Sequence, residues 1–466
     1  MPRKYCFVGP SLPEAAELTA GSDIRVLPPV AAGDLMRLGV RGGDTVGIVD
    51  GYFHQTGSVR HKEILDLLSR DVNVLGAASM GALRAAELDR FGMKGVGSVY
   101  ADYRDGRLEA DDEVTLLHSP AEEGYRALSE PLVGIRATFA YAVEQEVCDA
   151  STTGQLLGIL ARWPFGRRSY AALPAAGAEA GLDPATVLAL QQFCVSHRRD
   201  PKRADSLLLL ERMRDVSAAE LSPHGERPTV NRTSFLYAWQ LAARGVGLGE
   251  DTARTSELGL LRACQLFADD YPAHHRRIAL QALADECASE CGEQKPSGTD
   301  PQERALRHGE HRGLYRLPAN GSRLAFLDQW LKTAQTELSP CEQLTIFLVR
   351  AFRTAPGLPW DEPALGLLQE PSTRTAAQRF VRLAWQANDR ALKDRPGVDL
   401  YSISKTRILD LLAERWDVPP DELELAALDR NFTSVEEAVT AARPFYLFAR
   451  FNRTAARLRM GIPSTP

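Results

Sequence analysis

Ser79 sits in the hexapeptide Ala77-Ala78-Ser79-Met80-Gly81-Ala82, between an apolar run and a helix-forming stretch. Strand, tight turn with serine, helix is an arrangement that holds a hydroxyl at the mouth of a sheet, beside the positive end of a helix. Ala77 and Gly81 occupy the positions that G-x-S-x-G elbows give to glycine, because a sharp turn leaves little room on either side of the nucleophile. The Met80 amide, at the helix start, is placed to stabilise an oxyanion. The plainer reading is that Ser79 caps the helix, since serine is a preferred N-cap. A nucleophilic serine needs a base. Three histidines are candidates. His61 opens the helix leading into the Ser79 strand, next to Lys62 and Glu63. His118 follows Asp111-Asp112-Glu113 and a strand-like Val114–Leu117. His54 follows Asp50-Gly51 at another strand end. His61 is the first choice. Asp50 could orient a histidine, bind a cation or simply make a turn, as Asp-Gly pairs commonly do.

Other charged groups admit two readings. Arg84 and Glu87 are three apart on one helix and can pair locally, or Arg84 can receive a substrate's anionic tail. Asp111, Asp112 and Glu113 form a solvated turn, or hold a metal with Asp50, although no ligand spacing supports that. Cys287-x-x-x-Cys291 is the one close cysteine pair. It suits metal or sulfur carriage, but its helical setting favours plain packing, and no metal or cofactor is expected.

The elements that position these residues are legible in the first third. Tyr5–Val8, Ile24–Leu27, Val46–Val49 and Val72–Leu75 read as strands. Leu12–Leu18, Ala32–Leu38, Val59–Leu68 and Ala82–Arg90 read as helices. Strands separated by helices predict a parallel sheet with right-handed crossovers, and ligands bind such sheets outside the carboxyl ends of the strands. Gly9-Pro10-Ser11, the segment from Asp50 to His54, and Ser79 all fall at such ends. Beyond residue 131 the texture becomes helical, with apolar repeats in 131–162 and 184–215. The fold class is therefore α/β: a parallel sheet wound by helices in an N-terminal domain, then a mainly α-helical C-terminal region. The expected organisation is an α/β core with helical extension (1–222), a helical segment (223–291), a loop (292–322) and a helical domain (323–466).

Composition excludes several classes. Of 466 residues, 44% are hydrophobic and 25% charged, ordinary for a globular chain. Lys plus Arg is 55 against 61 Asp plus Glu, a net charge of −6 with no basic run to suggest nucleic acid. No apolar stretch reaches about 18 residues, so no membrane span is expected. The N-terminus lacks an apolar signal segment, and the cysteine count is odd, at seven. Both predict a cytoplasmic protein with reduced thiols.

The chain resembles the TfuA-like family. The shared blocks are FVGPSLP (7–13), VLPPVAAGDL (26–35), DGYFHQ (50–55), HKEIL (61–65), GAASMGALRAAEL (76–88), GMKGVG (92–97), YRDG (103–106), DDEV (111–114) and SEPLVGIRATF (129–139), covering roughly residues 1–215. Members of that family accompany YcaO enzymes, which activate peptide amides with ATP. The resemblance implies a role in thioamide formation: releasing sulfur from a thiocarboxylated ThiS-like carrier protein for the YcaO partner. The HKE triplet belongs to the family signature, which favours His61. AASMGA is also similar to the nucleophile turn of Clp-type serine peptidases, in which the histidine follows the serine; that order favours His118. The implied site comprises Ser79 with His61, His118 or His54, and Asp50, Lys62, Arg84 and Met80 around the substrate. Two other functions fit the sequence. One is a non-catalytic adaptor that docks a YcaO enzyme and its peptide substrate, with the helical half as interface. The other is a serine peptidase or esterase of unrelated substrate.

Overall fold

A computed structural model describes residues 2–53, 57–215, 228–244, 256–290, 300–316, 324–352, 361–393, 400–452 and 457–460. Five short strands, β1 (Lys4–Phe7), β2 (Ile24–Leu27), β3 (Thr45–Ile48), β4 (Asn73–Ala77) and β5 (Lys94–Val96), form one parallel sheet in the order β2-β1-β3-β4-β5. Register is regular: Lys4 pairs with both Ile24 and Thr45, Thr45 with Asn73, and Leu75 with Lys94. β3 and β4 are buried along their whole length, as strands covered on both faces must be. The helices α1 (Ala15–Leu18), α2 (Asp34–Arg37), α3 (His61–Ser69), α4 (Met80–Leu88) and α5 (Ser98–Arg104) alternate with the strands. The chain turns outward from β1 in one direction to β2 and in the other to β3. The crevice between β1 and β3, at their carboxyl ends, is thus the switch point where such sheets bind ligands.

The four expected strands and their helices are present. β5 is an addition: Lys-Gly-Val between Gly92 and Gly97 is too short and glycine-rich to read as a strand. The strand-like Val114–Leu117 is not a strand. A short 3-10 turn at Asp111–Glu113 leads into an irregular segment, and only His118 forms a bridge, to Ala127. Side chains hold it there. Glu113 pairs with Arg136 at 2.7 Å, and Asp112 pairs with the fully buried Arg168. Asp112 and Glu113 are therefore anchors, while Asp111 is exposed.

The helical extension has its own core. α6 (Leu132–Glu144), α7 (Ala150–Arg162), α8 (Leu173–Ala180) and α9 (Pro184–Ser196) pack around Phe139, Leu156, Leu160 and Leu190. α10 (Pro201–Asp215) returns to the sheet. Its Leu209, Leu210 and Met213 join Cys6, Leu75 and Ala77 in the sheet core. Gly47 on β3 makes room for it, since a Cβ there would lie 2.5 Å from Met213 Sδ. Asp205 of α10 accepts from the Ser98 and Val99 amides, capping α5 at 2.9 and 2.8 Å.

The chain divides into two compact units, Met1–Asn231 and Arg232–Pro466. The second is helical among its described residues. Helices Glu257–Phe267, Pro371–Leu392, Lys405–Trp416 and Val435–Ala442 surround a core that includes Phe267, Phe380, Leu412 and Phe445. The stretch 292–322, read as loop, contains the helix Pro301–His311. Its charge hides the pattern, but Asp300 caps the Gln302 amide and Pro301 takes the first helical position. Cys291 lies outside the described residues, while Cys287 is buried. Among the described residues no helix is long and apolar enough to cross a membrane.

Candidate active site

The turn after β4 is sharp. Ala78 takes a left-handed φ of +65°, a conformation that costs a non-glycine residue roughly 1–2 kcal/mol. The Ser79 amide bonds back to Ala77 O at 2.7 Å, and Ser79 O receives the Ala82 amide at 2.9 Å. The close approach expected at Gly81 is real. A Cβ there would lie 1.7 Å from Ile48 O, and one on Gly76 would lie 2.1 Å from Gly81 O. The Gly81 amide donates to Val49 O, tying the first turn of α4 to the end of β3. Ser79 occupies the N-cap position, yet its side chain makes no capping bond. The hydroxyl is left available at the wall of a cavity, although the residue is only 4% exposed.

That cavity, about 180 Å³, lies at the carboxyl ends of the strands. Pro10, Pro29, Asp50 and Ser79 contribute from the loops after β1, β2, β3 and β4. The segment 114–118, Phe165 and Lys202 close it. Asp50 is buried, and its carboxylate accepts the Gly9 and Ser11 amides, both at 2.9 Å, and the Ser11 hydroxyl at 2.6 Å. It pins the β1 loop to the β3 loop across the switch point. Tyr52 and Phe53 add aromatic wall, and Met80 packs beneath Gly51. His118 stands on the wall with Nδ1 2.7 Å from Ser119 O. A carbonyl only accepts, so Nδ1 is the donor, and in the neutral ring Nε2 is left as the acceptor. No histidine hydrogen-bonds the Ser79 hydroxyl among the described residues.

His61 is elsewhere. Its Nε2 lies 2.8 Å from Glu87 Oε2, and Arg84 reaches the same oxygen at 2.6 Å while donating to Val59 O at 3.2 Å. Glu87 is eight residues past Ser79, roughly 12 Å along α4. Burial pushes the Glu87 carboxyl upward, but the bonds from His61 and Arg84 outweigh it and hold it below its usual value. His61 lines a separate open cleft with Leu65, Arg90 and Phe91. The HKE triplet does not act as one polar group, because consecutive helical residues point in different directions. His61 and Lys62 face outward, Lys62 bonding to Asn231 O at 3.3 Å. Glu63 turns inward, where both oxygens accept the Gly33 amide at 2.9 and 2.8 Å. Arg84 is thus engaged in the local ion pair. His54 lies outside the described residues.

Lys202 was not legible from sequence. In His197-Arg198-Arg199-Asp200-Pro201-Lys202-Arg203 it reads as one member of a solvated charge run. The helix start at Pro201 turns it inward, leaving it 2% exposed, with Nζ donating to Val114 O at 2.8 Å. Burial pulls its pKa below the ordinary lysine range, with Asp50 and Asp200 acting in the opposite sense. Among the described residues no three His, Cys, Asp or Glu side chains converge as metal ligands.

No curated protein matches the chain. Residues 50–169 match the family model described as TfuA-like protein. The resemblance read from the sequence therefore holds over the segment that carries Asp50, Ser79 and His118: this stretch of the chain is TfuA-like.

Proposed function

We propose that this protein is the sulfur-delivering partner of a YcaO enzyme in thioamide formation, and that Ser79 hydrolyses the thiocarboxylate of a ThiS-like carrier protein. The family association with YcaO enzymes supports the partnership. The observation that carries the chemistry is the uncapped Ser79 hydroxyl on a cavity at the switch point of a parallel sheet.

In this reading Ser79 Oγ attacks the carbonyl carbon of the carrier's terminal –C(=O)S⁻. The serine proton passes to His118 Nε2. The Met80 amide, first in α4 and without an intrahelical acceptor, steadies the developing oxyanion. The C–S bond breaks, and sulfide leaves with the proton from His118. Water then attacks the ester, again with His118 as base, and frees the carrier as a carboxylate. Sulfide is a far better leaving group than an amine, so the serine needs less activation than a peptidase requires. The helical unit, Arg232–Pro466, is assigned to docking the YcaO enzyme or its peptide.

The test is sulfide release from a thiocarboxylated carrier by the purified full-length chain, with Ser79→Ala as comparison. Release by the wild type and its loss in a folded Ser79→Ala protein are expected. Equal release by the two proteins removes Ser79 as nucleophile. Hydrolysis of simple esters but not of the carrier would point to an unrelated serine esterase.

A further inference from the structure

Lys202 lies in the first turn of α10, the helix that packs against the sheet, and lines the Ser79 cavity. An ammonium has three donors. One is occupied by Val114 O, and among the described residues the others have no partner. Asp50 acts on Lys202 electrostatically but forms no ion pair with it; its oxygens accept from Gly9 and Ser11 instead. The cavity wall therefore contains a buried basic group with no carboxylate bonded to it, an arrangement that a directly bonded anion would stabilise. The lowered pKa of Lys202 has the same origin. Prolines, leucines and aromatic rings share the wall with Asp50, Ser79, Thr115 and His118, and a charge buried there acts more strongly than one in water. The alternative cation, Arg84, is held by Glu87 and Val59.

We infer that Lys202 receives the negatively charged end of the substrate, the terminal thiocarboxylate of the carrier and the carboxylate it becomes. The assignment rests on the Ser79 hydrolase reading for the identity of that substrate. It gives the cavity a specificity: an acyl chain that ends there as an anion, not an internal ester or amide.

The experiment is calorimetric binding to full-length Ser79→Ala protein, which cannot turn substrate over. The probes are a ThiS-like carrier with a free C-terminal carboxylate and the same carrier amidated at its C-terminus. The carboxylate form should bind about 10-fold tighter or more, as a charge-assisted hydrogen bond in a buried site requires. Adding Lys202→Gln should erase the preference and Lys202→Arg should keep most of it. If Lys202→Gln does not fold, Lys202→Met preserves the length of the side chain without its charge. Equal binding of the two carriers, or a preference that survives loss of the charge, overturns the assignment. So does a folded Lys202→Gln enzyme that keeps the preference but loses turnover, which would make Lys202 the base. A carboxylate preference without sulfide release from the wild type would instead sink the hydrolase reading and leave the anion site standing.

Discussion

Asp50 reaches from the end of β3 to Ser11, in the loop after β1, and takes both its amide and its hydroxyl. The bond crosses the switch point of the sheet, so it shapes the cavity floor as well as joining two loops. Bonds to a buried carboxylate contribute more than neutral ones, and losing their acceptor strands the donors. Asp50→Ala should cost about 3 kcal/mol in urea unfolding, and Ser11→Ala about 1 kcal/mol. An Asp50→Ala protein within 0.5 kcal/mol of wild type, roughly the range of ordinary surface changes, would show that the loops are held by something else.

The two histidines should separate cleanly in a sulfide-release assay. His118→Ala removes the ring on the Ser79 cavity and should lower the rate roughly 10²–10⁴-fold, the usual contribution of a positioned base. His61→Ala breaks only the exposed contact with Glu87, and should change the rate little. The reverse pattern would return the base role to His61 and require α3 to move.

Gly81 should tolerate no side chain. A Cβ would overlap Ile48 O, and the backbone on both sides is fixed by β3 and β4. Gly81→Ala should unfold the N-terminal unit or lower its stability by more than about 3 kcal/mol. Gly158, exposed within α7 with nothing near its missing Cβ, is the control. Gly158→Ala should stabilise by roughly 0.5–1 kcal/mol. Similar melting temperatures for the two variants would refute the close approach.

In the helical unit, the fully buried Arg350 grips Asp429 through two bonds, at 2.7 and 2.9 Å. Burial alone would raise the Asp429 carboxyl. The combined hydrogen bonds and charge of Arg350, with help from Lys332, hold it below its ordinary value. The folded state then favours the ionised form. This contribution to stability is present above the unfolded aspartate value of about 4 and is lost as pH falls below it. Arg350→Ala should cost roughly 1.5–3 kcal/mol at neutral pH, the range for charge-assisted bonds, because Lys332 still pairs with Asp429 at 2.9 Å, and it should weaken this acid dependence. Parallel acid-unfolding curves for variant and wild type would count against the pair.

The sheet was legible because alternation of apolar runs with helical patterns is a local signal, and β1 to β4 each carry one. β5 is not, since three residues between glycines become a strand only by pairing with β4. Ser79 was legible because its neighbours must be small, a steric demand written into the sequence itself. The residues that share its cavity were not. His61 is near in sequence but is drawn to Glu87, whereas His118 and Lys202 reach the cavity by tertiary contacts. Those contacts run through Arg136, Arg168 and Val114, residues that look unremarkable in isolation. The helix at Pro301–His311 was missed for a related reason: capping, not hydrophobic pattern, marks its start.

The cavity is assembled from residues 10 to 202, and the helix that supplies Lys202 also underlies the sheet through Leu209 and Met213. A ribosome adds residues one at a time, at roughly 5–20 per second. A nascent chain that has exposed β1 to β5 and even all of the segment 50–169 still lacks one wall of the site and part of the support under β3 and β4. Completion of the cavity therefore waits for α10 to leave the exit tunnel. Unfinished or C-terminally clipped chains that end before Pro201 would hold the serine without the Lys202 wall of the pocket.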